Sequence, residues 1–408
     1  MKTKELTING RQYKLPEQPV VVICIDGNAP EYFEVAMKQG RIPFVKSLID
    51  QGFYHDSYCV IPSFTNPNNM SIITGTPPEQ HGICGNFYFN GTRDVMMTTP
   101  ELLRVPSILE QFHQQGAKVI AITAKDKLRA MLSHGLDCSE GKAICFSSEL
   151  ANHTTMSEHG IDNAEAVIGM ATPDVYSPEL SEFVFKAGVA LLEQELPDLM
   201  YLTTTDFVQH TFAPEQEDAL SFYEMMDRYF YQLNQLGARL VITADHGMNA
   251  KTDEQGQPKI VFIDEVLSGR FPSEGYRTIL PITDPYIAHH SALGSFAAVY
   301  ITEKSLQRDI QAVLSQQEGI AEVLTKAEAA GRFQLAPDRI GDLIILAQSD
   351  VVLGKSAEHH DLGKLHGPLR SHGGISEQKI PLVTNFDIAI TDSRWLRNFD
   401  AFYLAMGF

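Results

Sequence analysis

The sequence predicts an α/β protein: a doubly wound, mostly parallel sheet with a smaller α+β cap inserted into it. Three observations carry that prediction. Four short apolar runs each end in a polar or charged cluster, stretches with helical spacing separate them, and the rhythm changes after His246. The first run, Val20 to Ile25, leads into Asp26-Gly27. A strand that is apolar at every position, rather than at alternate ones, is covered on both faces. Val105 to Gln114 then has helical spacing, and Lys118 to Thr123 runs into Lys125-Asp-Lys127. Glu182 to Glu195 is the next helical stretch and precedes Leu199 to Leu202, which approaches Asp206. Glu217 to Leu236 is a third, and Leu240 to Thr243 after it runs into Asp245-His246. Strand and helix in this alternation build a parallel sheet from βαβ units. Ligands of such sheets bind beyond the carboxyl ends of the strands, so the four polar clusters are expected to gather there and form the site.

From Thr252 to Pro258 the chain is polar and carries Gly256 and Pro258, and turn signals are denser beyond it. The expected division is a core over residues 1–251, an inserted cap over 252–365 and a return to the core over 366–408. Within the cap, Ser295 to Thr302 and Asp342 to Leu346 read as strands, and Ile310 to Ala329 as helical. Near Leu365-His366-Gly367 the chain rejoins the core, with Ser371-His-Gly-Gly374 as a loop and Ile380 to Val383 as a strand.

Composition narrows the function classes. The 408 residues carry 51 acidic against 32 basic side chains, a net charge of -19 at pH 7, which disfavours a general nucleic-acid or anionic-membrane binder. Hydrophobic residues at 44% and charged ones at 20% suit a chain with a large core and exclude disorder as its main state. Cys24, Cys59, Cys84, Cys138 and Cys145 are odd in number and lack C-x-x-C spacing, so neither a disulfide framework nor a zinc ribbon is suggested. The first 19 residues are polar and charged, without the apolar region of an export signal, and no apolar run approaches the roughly 18 residues of a spanning helix. A soluble, cytoplasmic location in a reducing compartment is expected. Asn90-Gly-Thr92 and Asn152-His-Thr154 match a glycosylation pattern that is common by chance.

The chemistry-bearing residues sit at the strand ends. Asp206 and His210 stand four apart, which places both on one face of a helix. Alone, such a pair is more often a capping Asp and a surface His. Asp245-His246-Gly247-Met248 follows a buried strand directly, Asp26-Gly27 repeats the strand-to-Asp pattern, and His372 adds another imidazole. Three Asp and three His at strand ends suit two zinc ions, each needing three or four N and O ligands. Thr65 lies where a short helix begins, with Pro67 in its first turn. Threonine there usually does no more than cap. With metals nearby and the positive end of a helix behind it, its hydroxyl gains a nucleophile's role.

Asp26, Phe64-Thr-Asn-Pro-Asn-Asn69, Asp206-x-x-x-His210, Asp245-His-Gly-Met248 and Ser371-His-Gly373, in this order and spacing, resemble the alkaline phosphatase superfamily. The match spans about residues 20 to 250 and 366 to 400, and within the superfamily it is nearest to the branch that cleaves the carbon–phosphorus bond of phosphonoacetate. That resemblance implies an alkaline phosphatase-like core and two Zn2+ per chain. One ion would take Asp206, His210 and His372; the other would take Asp26, Asp245, His246 and the Thr65 oxygen. It also implies a threonine nucleophile at Thr65 and assigns Asn86, Lys125 and Lys127 to a small phosphonate substrate. A homodimer is left open.

Charge leads to the same three substrate residues. Two zinc ions carry four positive charges, three Asp and a Thr alkoxide cancel them, and further cations must then hold an anion. Lys125 and Lys127 alternate, so in an extended segment both ammonium groups point one way, and Asn86 offers an amide donor. The bland readings are two solvated lysines and a turn residue after Gly85. Carbon, unlike an alkoxide oxygen, has no lone pair for a general acid before the bond breaks, so the carboxylate of the leaving acetate must act as an electron sink. In-line attack by Thr65, a phosphothreonine intermediate and its hydrolysis by water is the expected course.

Competing readings use the same residues: a nucleotide phosphodiesterase, a phosphate monoesterase, a mutase-like phosphotransferase (disfavoured by Thr in place of Ser), or a catalytically silent zinc module that recognises small anions. Gly354-Lys-Ser356 is not a P-loop, because the first glycine of that motif would fall at Ser349. His289-His290 and His359-His360 lack acidic partners at ligand spacing and are expected to be loop or pocket-lining residues. Cys24, within an apolar strand, is expected to pack in the core rather than act as a nucleophile.

Overall fold

The computed structural model describes residues 5–286, 288, 290–365, 367–388 and 396–407. His289, and His366 at the expected rejoining point, therefore lie outside the described residues. The main sheet takes β1 (Val20–Cys24), β2 (Tyr54–Tyr58), β3 (Val119–Thr123), β4 (Ala143–Ser147), β5 (Leu199–Thr203) and β6 (Arg239–Thr243). After β6 come β7 (Tyr276–Ile279), β8 (Phe296–Ile301), β9 (Ile320–Thr325) and β10 (Leu343–Ala347), which form a sheet of their own, and then β11 (Lys379–Thr384), which returns to the main one.

The main sheet has the order β2-β11-β6-β1-β5-β3-β4. From β6 to β4 neighbours are parallel, while β11 is antiparallel to β6 and β2. Side chains along a strand alternate between faces, and here both faces are dry. Val21, Ile23, Ile120, Ile122, Met200 and Leu202 pack with Phe183, Leu191 and Phe230. Val20, Val22, Cys24, Val119, Ala121 and Tyr201 pack on the other side with Leu109, Phe112 and Phe402. Cys24 is thus a core residue, and all five thiols are buried and unbridged.

Helices cover both faces in the expected alternation: α1 (Pro30–Lys38), α2 (Pro43–Asp50), α3 (Thr65–Thr74), α4 (Ile108–Gln114), α5 (Asp126–Leu132), α6 (Glu179–Glu195), α7 (Phe207–Thr211) and α8 (Glu217–Gln235). The helix expected from Val105 begins at Ile108, because Ser107 caps it by accepting the Glu110 N–H at 2.9 Å. Two main-sheet strands escaped the sequence reading: β4, whose apolar run is only the four residues Ala143 to Phe146, and β2, whose Tyr-His-Asp-Ser-Tyr lies at the sheet edge and is only partly buried.

The segment beyond β6 builds an antiparallel sheet in the order β7-β8-β10-β9 around its own apolar cluster, which Phe64 and Ile61 of the main body join. The continuous helix expected over Ile310 to Ala329 is not formed. α9 (Gln307–Ser315) stops, Gly319 adopts φ +90°, β9 follows, and α10 (Lys326–Phe333) starts at a capping box between Thr325 and Glu328. Gly319 could not carry a side chain, since a Cβ there would lie 2.8 Å from Val261. Asn249–Ala250 pairs antiparallel with Arg370–Ser371, so the chain leaves and re-enters at neighbouring positions. Among the described residues no helix is long and apolar enough to cross a membrane.

Candidate metal centre and active site

Register brings the strand ends level. Cys24 pairs with both Thr203 and Thr243, and Thr203 pairs with Thr123. Asp26, Lys125 and Asp245 each stand two residues beyond those ends, and Asp206 three. Gly27, at φ +72°, lets the β1 loop meet the β5 loop: a Cβ there would sit 3.1 Å from the Asp206 Cβ. The Asp26 N–H donates to Thr204 Oγ1 at 2.9 Å, a position the sequence reading had not singled out.

The structure brings together all three Asp and all three His expected at the site. Asp26, Asp245 and His246 offer ligand atoms within 4.8 Å of one another, as do Asp206, His246 and His372, and all are buried. His210 Nε2 is 2.9 Å and His372 Nε2 3.6 Å from Asp206 Oδ2. His246 links the two groups, its ring stacked 3.6 Å from that of His372.

Each imidazole is held by its other nitrogen. His210 Nδ1 bonds the Arg370 carbonyl at 2.7 Å, His372 Nδ1 the Ser63 carbonyl at 2.7 Å, and His246 Nδ1 the Gly247 carbonyl at 2.9 Å. A carbonyl only accepts, so Nδ1 carries the proton, and in the neutral ring the Nε2 lone pair faces the carboxylates. Buried Asp26 Oδ1 and His246 Nε2 face each other at 3.2 Å, with Asp245 Oδ2 3.9 Å from the same nitrogen. With the ring neutral these are acceptors turned toward one another, which a cation between them would satisfy.

Electrostatics give the same result. Burial pushes the Asp245 carboxyl well above its usual range, and Asp26 adds to it. Burial opposes a charge on His246 as well, but Asp245 and then Asp26 more than offset it and push its imidazole up to about 10. His372 is driven the other way, by burial and then by His246 and His210. Without a metal, this cluster of anions recruits protons. The residues therefore fit a pair of divalent cations.

Thr65 is the first residue of α3, with Phe64 at the cap position and no side-chain capping bond, so the bland capping role does not apply. It lines a small pocket with Asp26, Asp206, His372, Asn86, Lys125 and Lys127. Asn86 accepts the Asn66 N–H at 3.1 Å, fixing the start of α3, and donates to the Ile282 carbonyl at 3.2 Å. Lys125 and Lys127 reach the pocket by a different route from the one expected. They do not share an extended segment: Lys125 is the cap residue of α5 and Lys127 lies in its first turn, because Glu149 accepts the Asp126 N–H and draws the chain into a helix. Lys125 Nζ is 3.9 Å from Asp206 Oδ1.

The segment after β7 lends Ile282, Asp284 and His290 to the pocket lining. Asp284 is ion-paired with Lys127, and Tyr286, beside the pocket, lays its ring 4.8 Å from Lys125 Nζ. His290 fits the expected pocket-lining role. Asp284 and Tyr286 gave no sequence signal, being single polar residues in a long irregular stretch. His359 bonds Ser356, and His360 bonds Ser291 and Lys355; neither is among the pocket-lining residues.

Comparison with known proteins fits this geometry. Residues 20–374 match the family model of type I phosphodiesterase / nucleotide pyrophosphatase. Crystal structures of phosphonoacetate hydrolase from Sinorhizobium meliloti 1021, in complex with phosphonoformate and with phosphonoacetate, are 48% and 47% identical, cover 99% of this chain and 98% of theirs, and superpose with a TM-score of 0.95. Murine ectonucleotide pyrophosphatase / phosphodiesterase 5 shares the fold at 16% identity, with a TM-score of 0.61 over 95% of this chain and 94% of its own. A pyrophosphatase/phosphodiesterase of Schizosaccharomyces pombe is 20% identical over 299 residues, 66% of this chain and 54% of its own. The chain thus spans about half the length of that curated relative.

Proposed function

Because this chain belongs to the type I phosphodiesterase / nucleotide pyrophosphatase family and, within it, groups with the phosphonoacetate hydrolases, we propose that it hydrolyses the carbon–phosphorus bond of phosphonoacetate to acetate and phosphate. One observation carries the proposal. Thr65 opens a helix into a small pocket that has the acid and imidazole cluster on one side and two lysines on the other. Asp206, His210 and His372 would hold one divalent ion, and Asp26, Asp245, His246 and the Thr65 oxygen a second, zinc being the metal their N and O atoms suit. Such ions supply positive charge that acidifies a hydroxyl or a water and offsets charge on the phosphoryl oxygens.

The chain's own residues do the rest. Thr65 Oγ1, at the positive end of α3, attacks phosphorus in line. The O–P bond forms as the P–C bond breaks, and its electron pair passes into the acetate as an enolate. The Lys125 and Lys127 ammonium groups stabilise that charge as it develops. The proton lost from Thr65 Oγ1 on attack is balanced by the one taken up at carbon, which completes acetate. Water then attacks the phosphothreonine, the Thr65 O–P bond breaks, a proton of that water returns to Thr65 Oγ1, and phosphate leaves. Asn86 orients the substrate with the amide hydrogen left over from its bond to Ile282.

Turnover by the zinc-loaded protein tests the reading. Phosphonoacetate is expected to be preferred over p-nitrophenyl phosphate and its phosphodiester analogue by about a hundredfold in kcat/KM. Thr65→Ala is expected to lower that turnover by about a thousandfold or more. The reverse ranking would establish a nucleotide phosphodiesterase or monoesterase instead, and full activity in Thr65→Ala would remove the nucleophile.

A further inference from the structure

The pocket holds a carboxylate to which the mechanism above gives no task. Asp284 is buried and lines the cavity with Thr65, Lys125 and Lys127. Its Oδ2 pairs with the Lys127 ammonium, its Oδ1 accepts the Tyr286 N–H at 2.7 Å, and His290 Nε2 lies 3.8 Å from Oδ1. His290 Nδ1 accepts the Ala292 N–H, so the proton of its neutral ring is on Nε2, on the Asp284 side. Burial opposes the charge on Asp284, but Lys127 and then His290 more than offset it and hold the carboxyl well below its usual range.

Of the other carboxylates near the lysines, Asp206, 3.9 Å from Lys125 Nζ, is counted with the acid and imidazole cluster, and Glu149 and Asp126 are engaged elsewhere. Glu149 accepts the Tyr286 hydroxyl at 2.5 Å and the Asp126 N–H at 2.7 Å, and Asp126 pairs with Arg129 at 2.8 Å. The Tyr286 ring lies 4.8 and 5.7 Å from the two lysine ammonium groups. Two ammonium charges and the Asp284 carboxylate sum to one positive charge. The geometry points to a charge selector: we propose that Asp284 sets the lysine subsite to a single positive charge, so that it accepts a singly charged carboxylate on the group bonded to phosphorus and disfavours a doubly charged phosphonate or phosphate there. Among side chains this buried, an unmatched charge is costly on either partner. The inference rests on the reading that the two lysines hold that group.

The test is calorimetric binding to the zinc-loaded protein of two probes that each carry a phosphonate, phosphonoformate with a carboxylate directly on phosphorus and methylenebisphosphonate with a second phosphonate across a methylene. The readout is the change in their ratio between parent and variant, from which the constant spacer difference cancels. Asp284→Asn keeps the shape and removes the charge, and is expected to shift the ratio of dissociation constants toward the bisphosphonate by about tenfold or more. Asp284→Glu keeps the charge and is expected to leave the ratio within about threefold of the parent. Lys127→Met removes the opposite charge and is expected to move the ratio the other way. Equal weakening of both probes in Asp284→Asn would make Asp284 only a support for Lys127 and overturn the proposal, as would an unchanged ratio. Turnover of phosphonoacetate by the parent, measured alongside, separates the two claims. Turnover with an unshifted ratio sinks the selector alone; a shifted ratio without turnover leaves the selector and removes the reaction.

Discussion

Three histidines in the site use one device. Each gives its Nδ1 proton to a main-chain carbonyl, of Ser63, Arg370 or Gly247, and so aims the opposite nitrogen at a carboxylate. His81 shows the contrast. Its Nδ1 accepts the Ile83 N–H and its Nε2 meets Ser71 Oγ at 2.9 Å, so it is fully satisfied, and burial lowers its pKa to about 3. The carboxylates are aimed in the same way. Asn69 donates to Asp245 Oδ2 at 3.3 Å while accepting the buried Tyr201 hydroxyl at 2.7 Å. Asn69→Ala removes that support, and with it the bond from Asn69 Nδ2 to the Thr65 carbonyl at 3.0 Å, while leaving every proposed ligand side chain in place. It is expected to weaken zinc binding by about 10- to 100-fold in competition with a chelator, the usual cost of losing such a partner. An unchanged affinity would show that the Gly27 and His246 N–H groups, both donating to Asp245 Oδ1, suffice to hold it. Of these residues, the Asp and His of the site were legible because each follows a buried strand, sits on a glycine turn or, for His210, stands four residues from Asp206. Gly373 makes the point: it adopts φ +119°, and a Cβ there would lie 2.5 Å from the Phe64 ring. The task of Asn69 was not legible, since it depends on a tyrosine from a distant strand.

At the scale of elements, what could be read in the sequence is what a strand or helix decides for itself. Val20–Cys24, Val119–Thr123 and Leu199–Thr203 are buried at every position and, but for the terminal Thr123 and Thr203, apolar, because both of their faces are covered, and that pattern survives in the sequence. The stretch from Ile310 to Ala329 is different. Its spacing suits a helix, but Ile320–Thr325 is captured by the edge of β10, and pairing with a neighbour outweighs local preference. Helix α2 also depends on a distant partner. It has no side-chain cap of its own; instead Asp227, on α8, accepts the Phe44 N–H at 3.0 Å and the Val45 N–H at 2.7 Å. Those are donors that a helix start leaves unsatisfied. Asp227→Ala is expected to destabilise the protein by about 2 kcal/mol in urea denaturation. Asp227→Asn, which can still accept one of the two bonds, is expected to lose less. Equal losses for the two variants would mean that packing, not capping, is the role of Asp227.

For the whole molecule, the question is what fixes the inserted sheet and the returning chain to the parallel sheet, since the pocket draws on all three. A buried ion pair lies at that junction. Lys251, just beyond the strand-end loop of His246, donates to Glu377 Oε1 at 2.8 Å and to the Ser349 carbonyl at 2.7 Å, after β10. Glu377 in turn accepts the Gly374 N–H at 2.9 Å and the Asn249 amide at 2.6 Å, and its carbonyl accepts the Gly247 N–H at 2.7 Å. The loops carrying His246 and His372 are thus held by one carboxylate. Both charges are fully buried, and breaking such a pair from one side costs far more than the pair itself contributes. Lys251→Met is therefore expected to lose about 3 to 5 kcal/mol at pH 7, and Lys251→Met with Glu377→Leu to regain much of that loss. The pH dependence has a definite sign. Burial opposes the Glu377 charge, yet Lys251 more than offsets it and holds the carboxyl below its ordinary value of 4.5. In the parent this contributes stability above that value, which is lost as the pH falls through the lower folded one. In Lys251→Met the carboxyl is buried unpaired, is raised instead, and takes up a proton sooner on acidification. The stability gap between parent and variant is thus expected to narrow from pH 7 toward pH 4 in urea denaturation. A gap that stays constant over that range would mean that Lys251 acts through its packing and its bond to Ser349, and that the charge on Glu377 is not what holds the two histidine loops together.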